Sequence, residues 1–316
     1  MAKSPTDTPP TETSDPVSRP RIGLALGGGG ARGWSHIGVI RGLKELGIEP
    51  DIVCGTSIGA LVGGAYVTDG LDELAEWLEG LRWRDVVGFF DVSFGSGFIS
   101  GKRLFNFFRE RLPDVNIEDV PTPFAAVATR LDNGHEVWLR KGSIMHAMRA
   151  SIAVPGFFTP VYHEGRWLVD GGLANPVPIS VCRVLGADVV IAVALYAHRH
   201  RPPAPPEKGR DLLSSVSLGL VDKLKGMLRE SGAGESPEKP QAPSLFDVVT
   251  ESIEIMQLRI MRSRMAGDPP DVLVLPRTDD IKFLEFHRAT KGMEAGYRAV
   301  MYRKTELEEL KAMLVS

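Results

Sequence analysis

Short, unbroken apolar runs alternate along this chain with longer stretches whose apolar residues recur every three or four positions. Ile22-Gly23-Leu24-Ala25-Leu26, Ile52-Val53-Cys54 and Val189-Val190-Ile191-Ala192-Val193-Ala194-Leu195 are brief and uniformly apolar. They read as strands of a parallel sheet buried on both faces. Helical periodicity predicts helices around His36 to Leu46, from Ile58 onward, over Leu71 to Leu81 and over Lys102 to Leu112. It predicts further helices over Ser143 to Val154, Pro176 to Leu185, Phe246 to Met265 and Ala289 to Leu314. Two hairpins stand out. Phe124 to Thr129 is answered by Glu136 to Leu139 across Asp132-Asn133-Gly134, and Val161-Tyr162-His163 by Trp167-Leu168-Val169 around Glu164-Gly165-Arg166. Asp271 to Leu275 reads as the last core strand. The order predicts one α/β domain with a mainly parallel central sheet and helices on both faces.

Two kinds of segment interrupt the pattern. Residues 1–20 hold Pro9, Pro10, Pro16 and Pro20 among Ser, Thr and Asp, with little to bury, and read as a disordered tail before a domain spanning 21–316. A flexible insert is expected at about 199–245, with polar Pro-rich ends. Inside it Leu213, Val216, Leu220, Leu224, Met227 and Leu228 form a helical apolar stripe with balanced charges. A packed or partner-binding helix and a lid or lipid-surface helix both fit that stripe.

With 37 basic and 40 acidic residues the net charge of −3 gives no general pull toward nucleic acid or anionic membranes. No apolar run suits a secretory signal or a span of about 18 residues, so a cytoplasmic protein is expected, at most peripheral to a membrane. Cys54 and Cys182 offer neither a disulfide framework nor metal-ligand spacing, and no metal or cofactor is expected.

Candidate chemistry concentrates where the first two strands end. Gly55-Thr56-Ser57-Ile58-Gly59 lies where a buried strand turns into a small-residue helix, the pattern of a nucleophile elbow. Upstream, Gly27-Gly28-Gly29-Gly30-Ala31-Arg32-Gly33 follows the first strand. Its Gly28-x-Gly30-x-x-Gly33 spacing fits a dinucleotide fingerprint, but the acidic candidate Asp51 precedes the second strand instead of ending it. The same bare N–H groups at a helix N-terminus suit a transient oxyanion. If the two strands are parallel neighbours, loop and elbow open at one sheet edge.

Gly28-Gly29-Gly30-Ala31-Arg32-Gly33, Gly55-x-Ser57-x-Gly59 and Asp170-Gly171-Gly172, in this order, resemble the patatin-like phospholipases, in particular the bacterial branch similar to the catalytic domain of neuropathy target esterase. The likeness covers roughly 21–198 and 246–302. It implies a three-layer α/β fold and a metal-independent acyl-ester hydrolase acting on lipids. It further implies Ser57 as nucleophile, Asp170 as general base and residues 28–33 as oxyanion hole, with the backbone N–H groups of Gly29 and Gly30 as candidate donors. Asp170 is selected by the resemblance alone. Arg32 is expected to steady the loop, and Ser151, in Ala150-Ser151-Ile152-Ala153-Val154-Pro155-Gly156, to be structural.

Phe94 and Phe98, among Gly95, Ser96 and Gly97, are expected to border an acyl-chain groove. A Ser-Asp-His triad would draw on His198 or His287, which lie in no recognisable motif and read as surface residues. From another class, a catalytically silent lipid-binding adaptor could use the same fold.

Overall fold

The structure is a computed structural model that describes residues 19–89, 108–195 and 245–315. The expected insert and its amphipathic stripe, Phe94, Phe98 and His198 lie outside the described residues, as do residues 1–18. Arg19 forks onto the Asp51 carboxylate at 2.6 and 3.2 Å. Asp51 also accepts from the Ile22 N–H at 2.8 Å, so the acidic residue weighed as a ribose ligand pins the first strand.

Eight strands form one sheet: β1 (Ile22–Leu26), β2 (Ile52–Thr56), β3 (Phe124–Arg130), β4 (Glu136–Leu139), β5 (Val161–His163), β6 (Arg166–Asp170), β7 (Val189–Val193) and β8 (Val272–Val274). Hydrogen-bonded neighbours run β5-β6-β3-β2-β1-β7-β8, with β4 also paired to β3. β3, β2, β1, β7 and β8 run parallel, while β4, β5 and β6 add the two antiparallel hairpin arms.

The helices are α1 (Ser35–Glu45), α2 (Ile58–Val67), α3 (Leu71–Gly80), α4 (Trp83–Phe89), α5 (Ile144–Ser151), α6 (Ile179–Val184), α7 (Leu245–Gly267), α8 (Ala289–Tyr302) and α9 (Lys304–Val315). Side chains alternate across the strands, which divides the core in two. Leu24, Leu26, Val53, Ala126 and Ile191 face Ile37, Leu61, Met148 and Val300 of α1, α2, α5 and α8. Ala25, Cys54, Ala125, Val190 and Ala192 face Val181 and Cys182 of α6 and Met261 of α7. These are the helix layers on the two sheet faces. Both cysteines are free and buried, and burial pushes the Cys54 thiol well up. Among the described residues no helix is long and apolar enough to cross a membrane.

Boundaries differ from the sequence reading in understandable ways. β2 runs on through Gly55 to Thr56, because the ladder to β1 and β3 holds those positions extended. The continuous C-terminal helix breaks at Arg303 into α8 and α9.

Candidate active site

The register of β3 assembles the site. On β3, Ala126 pairs with both Gly55 and Leu139, and Ala128 with both Val137 and Asp170. A strand has two edges, so β4 occupies one, and β2 and β6 share the other. Running in opposite directions along that shared edge, β2 stops with Thr56 opposite Val127 and β6 stops with Asp170 opposite Ala128. Ser57 and Asp170, far apart in sequence, are therefore delivered to neighbouring positions.

Ser57 occupies the junction of β2 and α2 with φ 55° and ψ −125°. A non-glycine residue there is strained and persists only when its surroundings hold it. The holding is visible: its N–H donates to the Ser151 Oγ at 2.8 Å, and its carbonyl accepts from the Ala60 N–H at 2.9 Å. Ser151 in turn donates to the Val127 carbonyl at 2.5 Å, bridging the gap between β2 and β6 from the end of α5. Both of these Ser151 hydrogen bonds are to backbone atoms. The glycines around the serine are dictated by crowding. A Cβ on Gly55 would strike the Ala60 backbone, and one on Gly59 the Leu26 carbonyl.

Asp170 is wholly buried. Its Oδ1 accepts from the Gly172 N–H at 2.7 Å at the head of the short turn Gly171–Leu173, and its backbone is fixed to Ala153 and Thr129. Burial pushes its pKa up to about 6, against the opposing pull of the Ser57 hydroxyl and the Gly172 N–H. The hydroxyl is thus close enough to favour the carboxylate, and Oδ2 has no hydrogen-bond partner within bonding distance among the described residues. Catalytic hydrogen bonds are often loose before substrate arrives. Asp170 is a stronger base than an ordinary aspartate with a pKa of about 3.9.

The glycine loop enters a 3-10 turn, Gly30–Trp34, that leads into α1. Its donors are unequally free. Gly28 donates to the Pro176 carbonyl at 3.0 Å and Ala31 to the Phe283 carbonyl at 2.8 Å. Arg32 turns inward, and Gly33 is pressed against Ile58. The N–H groups of Gly29 and Gly30 have no hydrogen-bond partner among the described residues. Within the expected stretch 28–33 the N–H groups of Gly28 and Ala31 are thus engaged, whereas those of Gly29 and Gly30 are not. Gly30 has φ +59° and would meet the Phe283 carbonyl at 2.5 Å with any Cβ, so the bare backbone is required there.

Gly30 and Ser57 both open onto an apolar pocket whose walls include Leu61, Trp77, Phe108 and Phe158. Among the described residues that line it, Ser57 alone carries a hydroxyl. An acyl chain suits such a wall and a charged headgroup does not.

Among the described residues no histidine nitrogen bonds to Ser57 or Asp170. His287 is half-buried rather than at the surface, and burial lowers its pKa. His36, fully buried, bonds through Nε2 to the Gly27 carbonyl at 2.7 Å, and burial lowers its pKa to about 4. It therefore stays neutral and buttresses the start of the glycine loop. No three His, Cys, Asp or Glu side chains among the described residues are placed to share a metal ion.

Sequence reading missed Glu254, Gln257 and the 281–283 carbonyls, which pack against the loop and against Gly172. They come from the C-terminal third, where only a helical stripe was visible.

The family model for patatin-like phospholipases matches residues 24–183. An uncharacterized NTE family protein of Mycobacterium tuberculosis is 33% identical over 93% of this chain and 93% of its own length. The lysophospholipase nte1 of Emericella nidulans is 29% identical over 92% of this chain, which spans 18% of that larger protein. The crystal structure of VipD from Legionella pneumophila superposes with a TM-score of 0.49 at 13% identity, covering 92% of this chain and 67% of that one.

Proposed function

The chain belongs to the patatin-like phospholipase family, and from that premise we propose that it is a serine-dependent lipid acyl hydrolase working through a Ser57–Asp170 dyad and an acyl-enzyme. Membership supports lipid hydrolysis in general. The observation that carries the finer reading is the meeting of β2 and β6 on one edge of β3, which sets a strained serine beside a buried carboxylate with a free oxygen.

In the first step the Ser57 Oγ attacks the ester carbonyl while Asp170 Oδ2 takes its proton. The negative charge that develops on the carbonyl oxygen is met by the N–H groups of Gly29 and Gly30 and by the positive end of the following helix. Collapse breaks the ester bond, and the departing alkoxide leaves as an alcohol with the proton held by Asp170. Water then attacks the acyl-serine, giving its proton to Asp170, and the fatty acid leaves as Ser57 regains a proton. The acyl chain lies in the apolar pocket throughout, which directs the reading toward phospholipid or lysophospholipid esters.

Hydrolysis of a p-nitrophenyl acyl ester series tests the proposal. The wild type should turn over, while Ser57→Ala and Asp170→Asn should each lose at least a thousandfold in kcat. Turnover unaffected by Ser57→Ala would overturn the dyad. No turnover of any ester by the wild type would favour the adaptor.

A further inference from the structure

The least expected side chain near the site is Arg32, which lies inside the glycine loop yet is only 5% exposed. Its Nη2 donates to Glu254 Oε1 at 2.6 Å, and its Nε to the Ile281 carbonyl at 2.9 Å. Glu254 sits on α7, the first described element after the expected insert, and its side chain is 1% exposed. Both partners come from beyond residue 183, outside the stretch matched by the family model. The neighbouring contacts point the same way. Ala31 donates to the Phe283 carbonyl, Ile253 packs with Val154, Phe157 and Phe158, and Gln257 fills the space beside Gly172. One face of α7 therefore touches the glycine loop through Glu254 and the turn after Asp170 through Gln257.

A buried ion pair is weak support for stability, because desolvation offsets much of the attraction and an apolar pair of similar size often serves as well. Its distinctive property is directional. A guanidinium fork held by a carboxylate on one side and a carbonyl on the other fixes the peptide that carries it. Arg32 follows the two free N–H groups by two and three residues, across the Ala31 N–H that Phe283 holds, and the value of those groups depends on where they point.

We propose that Glu254 is a positioning residue for the reaction: through Arg32 it aims the Gly29 and Gly30 N–H groups at the developing oxyanion. The proposal rests on the dyad reading above. It makes α7 part of the catalytic apparatus without touching substrate, and assigns the C-terminal third the task of completing a site whose motifs all lie earlier.

Glu254→Leu, Arg32→Met, the double variant and Glu254→Gln test it, with kcat, KM and Tm measured on p-nitrophenyl butyrate. Misaligned donors cost about 10- to 100-fold, so each of the first two should lose that much kcat with KM within about twofold. Glu254→Gln, which still offers Arg32 an amide oxygen, should recover most of kcat. The double variant removes both charges, so its Tm should return toward wild type while kcat stays low. Recovery of both Tm and kcat in the double variant would show the pair to be structural only. Single variants with normal kcat per folded molecule would also overturn the proposal. Should the wild type hydrolyse no ester, the dyad reading falls, and the positioning role with it.

Discussion

Replacing Asp170 with asparagine should abolish turnover and at the same time stabilise the protein, by an amount that depends on pH. Burial raises the carboxyl from the ordinary aspartate range to about 6. The folded state therefore holds its proton over a range where the unfolded chain, with a pKa of about 3.9, has lost it. Stability contributed by the neutral acid is complete below about pH 4 and is lost as pH rises through about 6. Each pKa unit corresponds to about 1.4 kcal/mol, so an ionised Asp170 costs the fold about 3 kcal/mol above pH 7. Asparagine keeps the shape, can still accept from Gly172 and carries no charge to desolvate. In a domain of this size 1 kcal/mol moves Tm by about 2–4 °C, so Asp170→Asn should melt roughly 6–12 °C above wild type at pH 8. The gain should shrink toward zero near pH 4. Differential scanning calorimetry of both proteins across that range measures it. An increment independent of pH, or a variant less stable than wild type at pH 8, would refute the idea that Asp170 is held charged against an unfavourable burial.

The same pKa sets the activity profile: kcat/KM on a soluble ester should fall tenfold per unit below about pH 6, as the base is lost to protonation, and a profile flat down to pH 5 would contradict it. Ser151→Ala removes the acceptor of the Ser57 N–H and a donor to Val127. Leaving two buried backbone groups unsatisfied should cost about 2–4 kcal/mol by urea unfolding, and kcat of the folded enzyme should drop with the strained elbow relaxed. Trp77 and Leu81 line both the apolar pocket and an adjoining cleft edged by Glu76 and Asp85. Trp77→Ala should join the two and shift the preferred p-nitrophenyl ester toward longer chains, read from kcat/KM across the series, and an unchanged preference would show that this wall does not limit the chain.

What the sequence made legible and what it concealed divide along a physical line. Local chemistry was readable. Gly55 and Gly59 announce close approach of backbone to backbone, and the collisions their Cβ atoms would meet show why. The strands of the parallel core were readable because burial on both faces leaves only apolar residues. The hairpin turns were readable from Asn133-Gly134 and Gly165.

Proximity between distant segments was not readable. Nothing in the sequence states that Thr56 and Asp170 pair with consecutive residues of β3, since register emerges only when the sheet closes. Asp170 was therefore selected by resemblance to known proteins and not by its own neighbourhood. The base strength was hidden for the same reason, because a pKa of about 6 is a property of burial and not of residue type. Gly29 and Gly30 could be named from the sequence as candidate donors, but the engagement of their neighbours Gly28 and Ala31 by the Pro176 and Phe283 carbonyls could not. Glu254 looked like one polar position on a long amphipathic helix, and only packing revealed that it faces inward.

The central claim is that Ser57 is a nucleophile activated by its setting, and a covalent trap tests it most directly. Intact mass spectrometry after treatment with a fluorophosphonate should show one adduct per chain, mapped by proteolysis to the peptide containing Ser57. The adduct should be absent from Ser57→Ala and formed at least a hundredfold more slowly by Asp170→Asn. A wild type that takes no label while catalysing ester hydrolysis, or a label that maps to another serine, would contradict the account.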